Sequence, residues 1–170
     1  MRFRGGFGHA CKIVGVVVFA LVIGACSRQP QQPKEYGLGG AGPATPGSAK
    51  DFTANVGDVV RFQVDSAALT GEAQATLRSQ VRWLNRYAQY SVTIEGHADE
   101  RGTREYNLAL GAQRATAVKG FLLRNGLNAA RIQTISYGKE RPVAVCDDIS
   151  CWSQNRRAQT ILNPGAVARY

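Results

Sequence analysis

The chain has 170 residues, 44% of them hydrophobic and 8% aromatic, enough apolar material for one ordinary domain with a buried core plus extra terminal segments. Its formal net charge is +9, but the basic residues are scattered apart from Arg156-Arg157. The charge therefore selects no partner by itself, and the absence of a groove-reading motif argues against nucleic acid.

Residues 1–25 read as a lipoprotein signal peptide. Arg2, Arg4 and Lys12 supply a basic start, and removing this segment lowers the net charge to +6. Residues 13–25, IVGVVVFALVIGA, form an apolar run that is short for a bilayer core of about 30 Å but right for a signal h-region. The run ends in Ile23-Gly24-Ala25-Cys26. Small residues before a cysteine form a lipobox, in which Cys26 is lipidated and becomes the new N-terminus; the plainer alternatives are an ordinary signal peptide or an unusually short membrane helix with a chance cysteine. Ser27, rather than Asp, follows Cys26, which by the enterobacterial sorting rule directs the protein to the outer membrane. Each buried methylene contributes about 0.8 kcal/mol, so two or more acyl chains, palmitate among them, would hold the protein stably where one would not.

Residues 26–55 change character. Gln, Pro, Gly and Ser dominate and large apolar residues are scarce, so the segment is expected to be a flexible linker; the alternative is a segment folded against the domain. A coil of this length spans roughly 30 Å on average, at about 5–6 Å × √n, enough to let a domain leave a membrane surface.

The folded domain is expected over 56–165. VVRFQVD, 59–65, alternates as a strand. Thr70 can cap a helix over 72–89 whose apolar stripe is Ala73, Leu77, Val81, Leu84 and Ala88. Residues 91–96 read as a second strand, and HADERGT, 97–103, as a loop. A second helix over about 103–124 places Tyr106, Leu110, Ala117 and Phe121 on one face and stops at Asn125-Gly126. RIQTISY, 131–137, alternates as a third strand, 138–152 reads as a loop, and 158–162 as a short last strand. Strands alternating with amphipathic helices predict an α/β sandwich: a mixed sheet of about four strands packed with two or three helices. No phosphate-cradling glycine loop is present.

The stretch 94–118, IEGHADERGTREYNLALGAQRATAV, resembles the OmpA-like peptidoglycan-binding domain. Phe62-Gln63-Val64-Asp65-Ser66, residues 135–142 (ISYGKERP) and residues 152–158 (WSQNRRA) support the resemblance, which covers about 55–163. The family's small C-terminal OmpA fold agrees with the α/β pattern. The resemblance implies an outer-membrane lipoprotein that grips peptidoglycan without catalysis, facing the periplasm. It further implies engagement of TolB and other Tol proteins, with a role in envelope integrity and cell division.

The residues themselves suit that reading. Asn107 and Arg114 lie seven apart, within about 20° of each other on a helix of 3.6 residues per turn. The Arg114 guanidinium can therefore look toward the helix N-terminus and the loop holding Asp99. An acid and a guanidinium there can bind a zwitterion, Asp99 taking an ammonium and Arg114 a carboxylate. Meso-diaminopimelate in peptidoglycan stem peptides has that pattern on one carbon, and the resemblance assigns its contacts to Asp99 and Arg114. It also suggests Val64, Asp65 and Ser66 at the pocket border and Leu108 as a side wall. Thr103, a candidate N-cap, and Asn107 complete the expected set. A plain ion pair steadying loop against helix would use the same Asp99 and Arg114.

Two other chemistries are weaker. His97, Asp99 and Glu100 do not follow a recurring metal spacing, and Ser66, His97 and Asp99 lack a nucleophile elbow; no metal, cofactor or catalytic residue is expected. Arg156-Arg157 are expected to bracket the last strand, one buried against a carboxylate and one solvated. Cys146 and Cys151 are expected to form a disulfide in the oxidising periplasm. The alternatives are a wall-binding OmpA-family lipoprotein without a Tol partner and a periplasmic peptidoglycan hydrolase.

Overall fold

The computed structural model describes residues 44–165. The signal segment, Cys26 and the linker to residue 43 lie outside the described residues.

The described chain begins before the expected domain boundary. Ser48 caps a short helix α1, Ala49–Asp51, its Oγ accepting the Asp51 amide at 3.1 Å. The helix continues as a wide turn over Phe52–Val56 that stops at Gly57, where φ is +84°. Phe52 is only 1% exposed and its ring lies 4.9 Å from that of Trp83. The Trp83 indole N–H donates to Asp51 at 2.8 Å. The segment ending at 55 is thus core-bound at its C-terminal end, because one large aromatic gives an otherwise polar stretch something to bury.

Strand β1 is Val59–Arg61, helix α2 Gly71–Arg86 and strand β2 Tyr90–His97. Helix α3 is Arg104–Arg124, β3 Ile132–Gly138, α4 Ile149–Asn155 and β4 Arg157–Pro164. The sheet order is β1-β4-β2-β3. β2 and β3 run parallel, joined through α3, while β4 runs antiparallel to both β1 and β2. A parallel pair needs a crossover of this kind, and the helix then covers the sheet. Val92 and Ile94 of β2, Leu77 and Leu84 of α2, and Val118 and Leu122 of α3 are all fully buried between helices and sheet.

Thr70 caps α2 as expected, accepting the Ala73 amide at 3.2 Å. The helix ends at Arg86, so Ala88 falls outside its stripe. The buried face of α3 is Asn107, Leu110, Gly111, Arg114, Ala115, Val118, Phe121 and Leu122. Leu110 and Phe121 lie on it as expected, whereas Ala117 is half-buried and Tyr106 is 51% exposed. Tyr106 misled because the N-terminal half of α3 meets the sheet through a small residue, Gly111. A Cβ on Gly96 would sit 1.9 Å from the Gly111 carbonyl oxygen, and one on Gly111 would sit 2.4 Å from Ser136 Oγ. Only glycine at both positions permits that approach.

Two further expectations change. β1 stops at Arg61 rather than residue 65, because the chain turns at Asp65, where φ is +53°. Residues 149–155 form α4, which takes up the last four residues of the expected 138–152 loop, with Asp148 as N-cap accepting the Ser150 amide at 2.7 Å. Cys146 and Cys151 are joined by a disulfide with Cα atoms 5.7 Å apart, which ties the preceding loop to the start of α4. Among the described residues no helix is long and apolar enough to cross a membrane.

Candidate functional site

At the C-terminal end of β2, three segments converge: the 63–66 turn after β1, the 97–103 loop and the first turns of α3. They enclose a cavity of about 230 Å³ lined by Val64, Asp65, Asp99, Asn107 and Arg114, with Arg101, Gly102, Tyr106 and Leu110. Five of the eight expected binding residues therefore share one wall. The remaining three do not line it. Thr103 caps α3 through the Tyr106 amide at 3.2 Å. Leu108 is 43% exposed, and its carbonyl accepts the Ser136 hydroxyl at 2.7 Å. Ser66 contributes its carbonyl oxygen to Arg114, while its hydroxyl accepts the Ala68 amide at 3.1 Å.

Arg114 is completely buried. Its Nε–H donates to the Ser66 carbonyl at 2.9 Å, Nη1 to the His97 carbonyl at 2.7 Å, and Nη2 to the Gln63 carbonyl at 3.1 Å. The guanidinium also lies 5.2 Å from the Phe62 ring centre. One side chain therefore fastens the 63–66 turn to the end of β2. Burial lowers its pKa to about 10, against the favourable fields of Asp99 and Asp65, so it remains charged at neutral pH. A guanidinium has five N–H donors. Three go to these carbonyls, and two remain on the side chain that lines the cavity.

Asp99 is 7% exposed, and no hydrogen bond or ion pair joins it to Arg114. Its partners are Arg101 and Arg156. Arg101 Nη2 reaches Oδ2 at 2.7 Å and Arg101 Nε reaches Oδ1 at 3.1 Å, with the Arg101 amide at 3.3 Å from Oδ1. Arg156 Nη1 meets Oδ2 at 3.2 Å while its Nε–H holds the Phe62 carbonyl. Burial alone would raise the Asp99 pKa; the bonds from Arg101 and Arg156 outweigh it and keep the carboxyl below the usual range. Arg156 is thus the arginine expected against a carboxylate. Arg157, expected in solvent, is 5% exposed instead, because β4 runs beside β2 and lays its side chain near His97 and Glu95.

Sequence reading missed Arg101, Tyr106 and Trp152. The Arg101 guanidinium lies 4.4 Å from the Trp152 ring centre, and the Trp152 indole N–H donates to Glu100. The Tyr106 hydroxyl donates to Asp65. Asn107 Nδ2 holds the Arg101 carbonyl at 2.7 Å. Arg101 carried one legible signal, its position two residues after Asp99; Trp152 opens the 152–158 stretch quoted for the resemblance, but its contact with Arg101 was not legible because α4 went unread.

His97 is 1% exposed, and neither ring nitrogen has a hydrogen-bond partner. Burial first, then the fields of Arg157 and Arg141, lower its pKa to about 4. The ring is thus neutral at pH 7, and neither of its nitrogens touches the Ser66 hydroxyl, so the residues of a hydrolytic triad are not assembled. Among the described residues no group of three or more His, Cys, Asp and Glu side chains is placed to hold a metal ion.

Comparison with known proteins agrees with this architecture. A model described as the OmpA family matches residues 61–159. The peptidoglycan-associated lipoprotein of Agrobacterium fabrum is 60% identical over 149 residues, covering 86% of this chain and 84% of that protein. That of Pseudomonas aeruginosa is 39% identical over 84% of this chain and 90% of its own length. The crystal structure of the peptidoglycan-associated lipoprotein from Burkholderia pseudomallei superposes with a TM-score of 0.64 at 38% identity, covering 67% of this chain and 98% of that one. The C-terminal domain of Helicobacter pylori MotB, at 21% identity over 64% of this chain and 86% of that one, shares the fold with a TM-score of 0.60.

Proposed function

The chain belongs to the OmpA family, and within it stands with the peptidoglycan-associated lipoproteins; from that premise we propose that its folded domain binds peptidoglycan non-covalently and catalyses no reaction. The observation that carries the reading is a buried acid and a buried guanidinium, Asp99 and Arg114, which line one cavity without bonding to each other. Unlike charges held apart at the wall of a cavity suit a zwitterion better than a uniformly charged ligand.

The ligand we propose is the free end of meso-diaminopimelate in a stem peptide. Its ammonium would approach Asp99 and its carboxylate the two remaining Arg114 N–H groups. Asp65, Tyr106 and Val64 border the cavity and would limit what else enters. The protein would sit at the outer membrane through a lipid on Cys26, with the domain in the periplasm. Residues 26–43 would supply the reach between membrane and wall. Engagement of TolB and other Tol proteins, and through them a role in envelope integrity and division, rests on the family resemblance.

The test is calorimetric titration of the full chain in detergent with a diaminopimelate stem peptide. Removing one charged contact should weaken binding by roughly 1.5–3 kcal/mol. Asp99→Asn removes the anion with little change in shape. A lysine-type stem peptide removes the carboxylate with no change in the protein. Equal affinity for both peptides, together with undiminished binding by Asp99→Asn, would overturn the assignment. Lipidation has its own test: Cys26→Ser should shift the protein from the membrane to the soluble periplasmic fraction.

A further inference from the structure

The surroundings of Asp99 leave no place for an incoming ammonium. A carboxylate offers about four lone-pair positions. On Asp99 the Arg101 amide and Arg101 Nε take Oδ1, while Arg101 Nη2 and Arg156 Nη1 take Oδ2. The acid that the proposed function assigns to a ligand cation is already saturated by cations of the protein itself.

The two arginines differ in freedom. The Arg156 side chain is 7% exposed and is pinned by the Phe62 carbonyl, inside the fold. The Arg101 side chain is 43% exposed and lies at the cavity wall. Its backbone is held by Asn107 through its carbonyl, so the side chain can leave while the loop stays. A surface for the released guanidinium already exists, since Arg101 lies over the Trp152 ring. Trp152 is in turn bonded to Glu100 and sits in the helix tied by the Cys146–Cys151 disulfide.

We propose that Arg101 is an internal stand-in for the ligand ammonium: it holds the cation subsite on Asp99 and is displaced along the Trp152 face when the ligand binds. Binding is then an exchange of one cation for another on a buried carboxylate. Asp99 is never left unpaired, which would be costly at 7% exposure. The exchange also filters ligands: an uncharged group at that position gains too little to displace a guanidinium, whereas an ammonium replaces it like for like. Arg101 thereby becomes a specificity-determining residue of the site. This inference rests on the reading of Asp99 as the ammonium subsite.

The test uses the full chain in detergent and two ligands, a diaminopimelate stem peptide and the same peptide with the diaminopimelate amine acetylated. Arg101→Ala should tighten binding of the free-amine peptide by about two- to five-fold, the gain expected from removing a half-exposed competing ion pair. It should give no gain for the acetylated peptide. Arg101→Gln, which keeps length and polarity, should behave as Arg101→Ala does. In the wild type, the Arg101 Nε–H resonance should move on adding free-amine peptide while that of Arg156 stays. Unchanged or weaker binding by both variants, or an equal gain for both peptides, overturns the exchange. If binding by the wild type survives Asp99→Asn undiminished, the proposed ligand assignment itself falls. Loss of binding in Asp99→Asn without a gain in Arg101→Ala leaves that assignment standing and removes only the exchange.

Discussion

Lowering the pH from 7.5 to 5 should destabilise the domain by about 2 kcal/mol through His97 alone, the one-proton linkage expected for its pKa shift. The ring is 1% exposed, faces Tyr137 at 5.7 Å and has no hydrogen-bond partner. Its pKa is lowered from 6.5 to about 4 by burial, then by Arg157 and Arg141; Glu95, at 3.6 Å, does not reverse this. Between those two values the unfolded chain holds the proton and the folded chain does not, so stability falls as pH falls. The neutral ring's contribution is complete above pH 6.5 and disappears by about pH 4, roughly 3 kcal/mol in all at 1.36 kcal/mol per unit. Asp99 does not confuse the window, because its depressed carboxyl is lost only at more acidic pH. Urea unfolding at several pH values, at fixed ionic strength, measures the effect. The wild-type advantage over His97→Gln should shrink by about 2 kcal/mol between pH 7.5 and 5. Parallel stability curves, or an NMR titration placing His97 near 6.5, would refute the reasoning. The outcome bears on binding as well, because the His97 carbonyl holds Arg114.

Four further outcomes follow from the packing. Gly111→Ala places a methyl 2.4 Å from Ser136 Oγ and 2.9 Å from the Gly96 carbonyl oxygen; it should cost about 1–3 kcal/mol by forcing α3 off the sheet, read by thermal unfolding. Phe52→Ala should cost about 3–5 kcal/mol in urea, and a change near zero would mean that residues 49–56 do not belong to the core. Arg114→Lys keeps the charge but not the planar fork that holds three carbonyls, so both stability and stem-peptide affinity should fall, stability by about 2 kcal/mol. Replacing Cys146 and Cys151 together by Ser removes a short loop closure and should cost about 2 kcal/mol, measurable as a lower urea midpoint.

Much of the fold was legible because local rules and the fold agree. The alternation of 91–96, the stripe Ala73, Leu77, Val81, Leu84 and the caps Thr70 and Asn125 each mark an element through its own periodicity or end chemistry. The failures share a cause. Helix α4 has only seven residues and too few turns to display a stripe. Phe52 stood unremarked in the expected linker, since its partner Trp83 is 31 residues away. On α3, Leu110 and Phe121 were legible as buried, but Tyr106 was misplaced and Gly111, Arg114 and Ala115 were passed over, because a search for large apolar residues does not register glycine, alanine or a buried arginine.

The site divides the same way. Composition and motif alone mark the expected lipobox at Cys26, the order of strands and helices, and Asp99 and Arg114 as residues of one loop-and-helix unit, because those properties are local in the chain. Which groups face one another across that unit was decided by tertiary structure. Arg156 comes 57 residues after Asp99 to share its carboxylate, and Arg114 spends three donors on the carbonyls of Gln63, Ser66 and His97. Arg101 reaches back two residues to take the oxygens a ligand would need. A sequence specifies which charges are present; only the packed chain determines which of them are already satisfied, because satisfaction depends on distances between segments that periodicity and spacing do not encode.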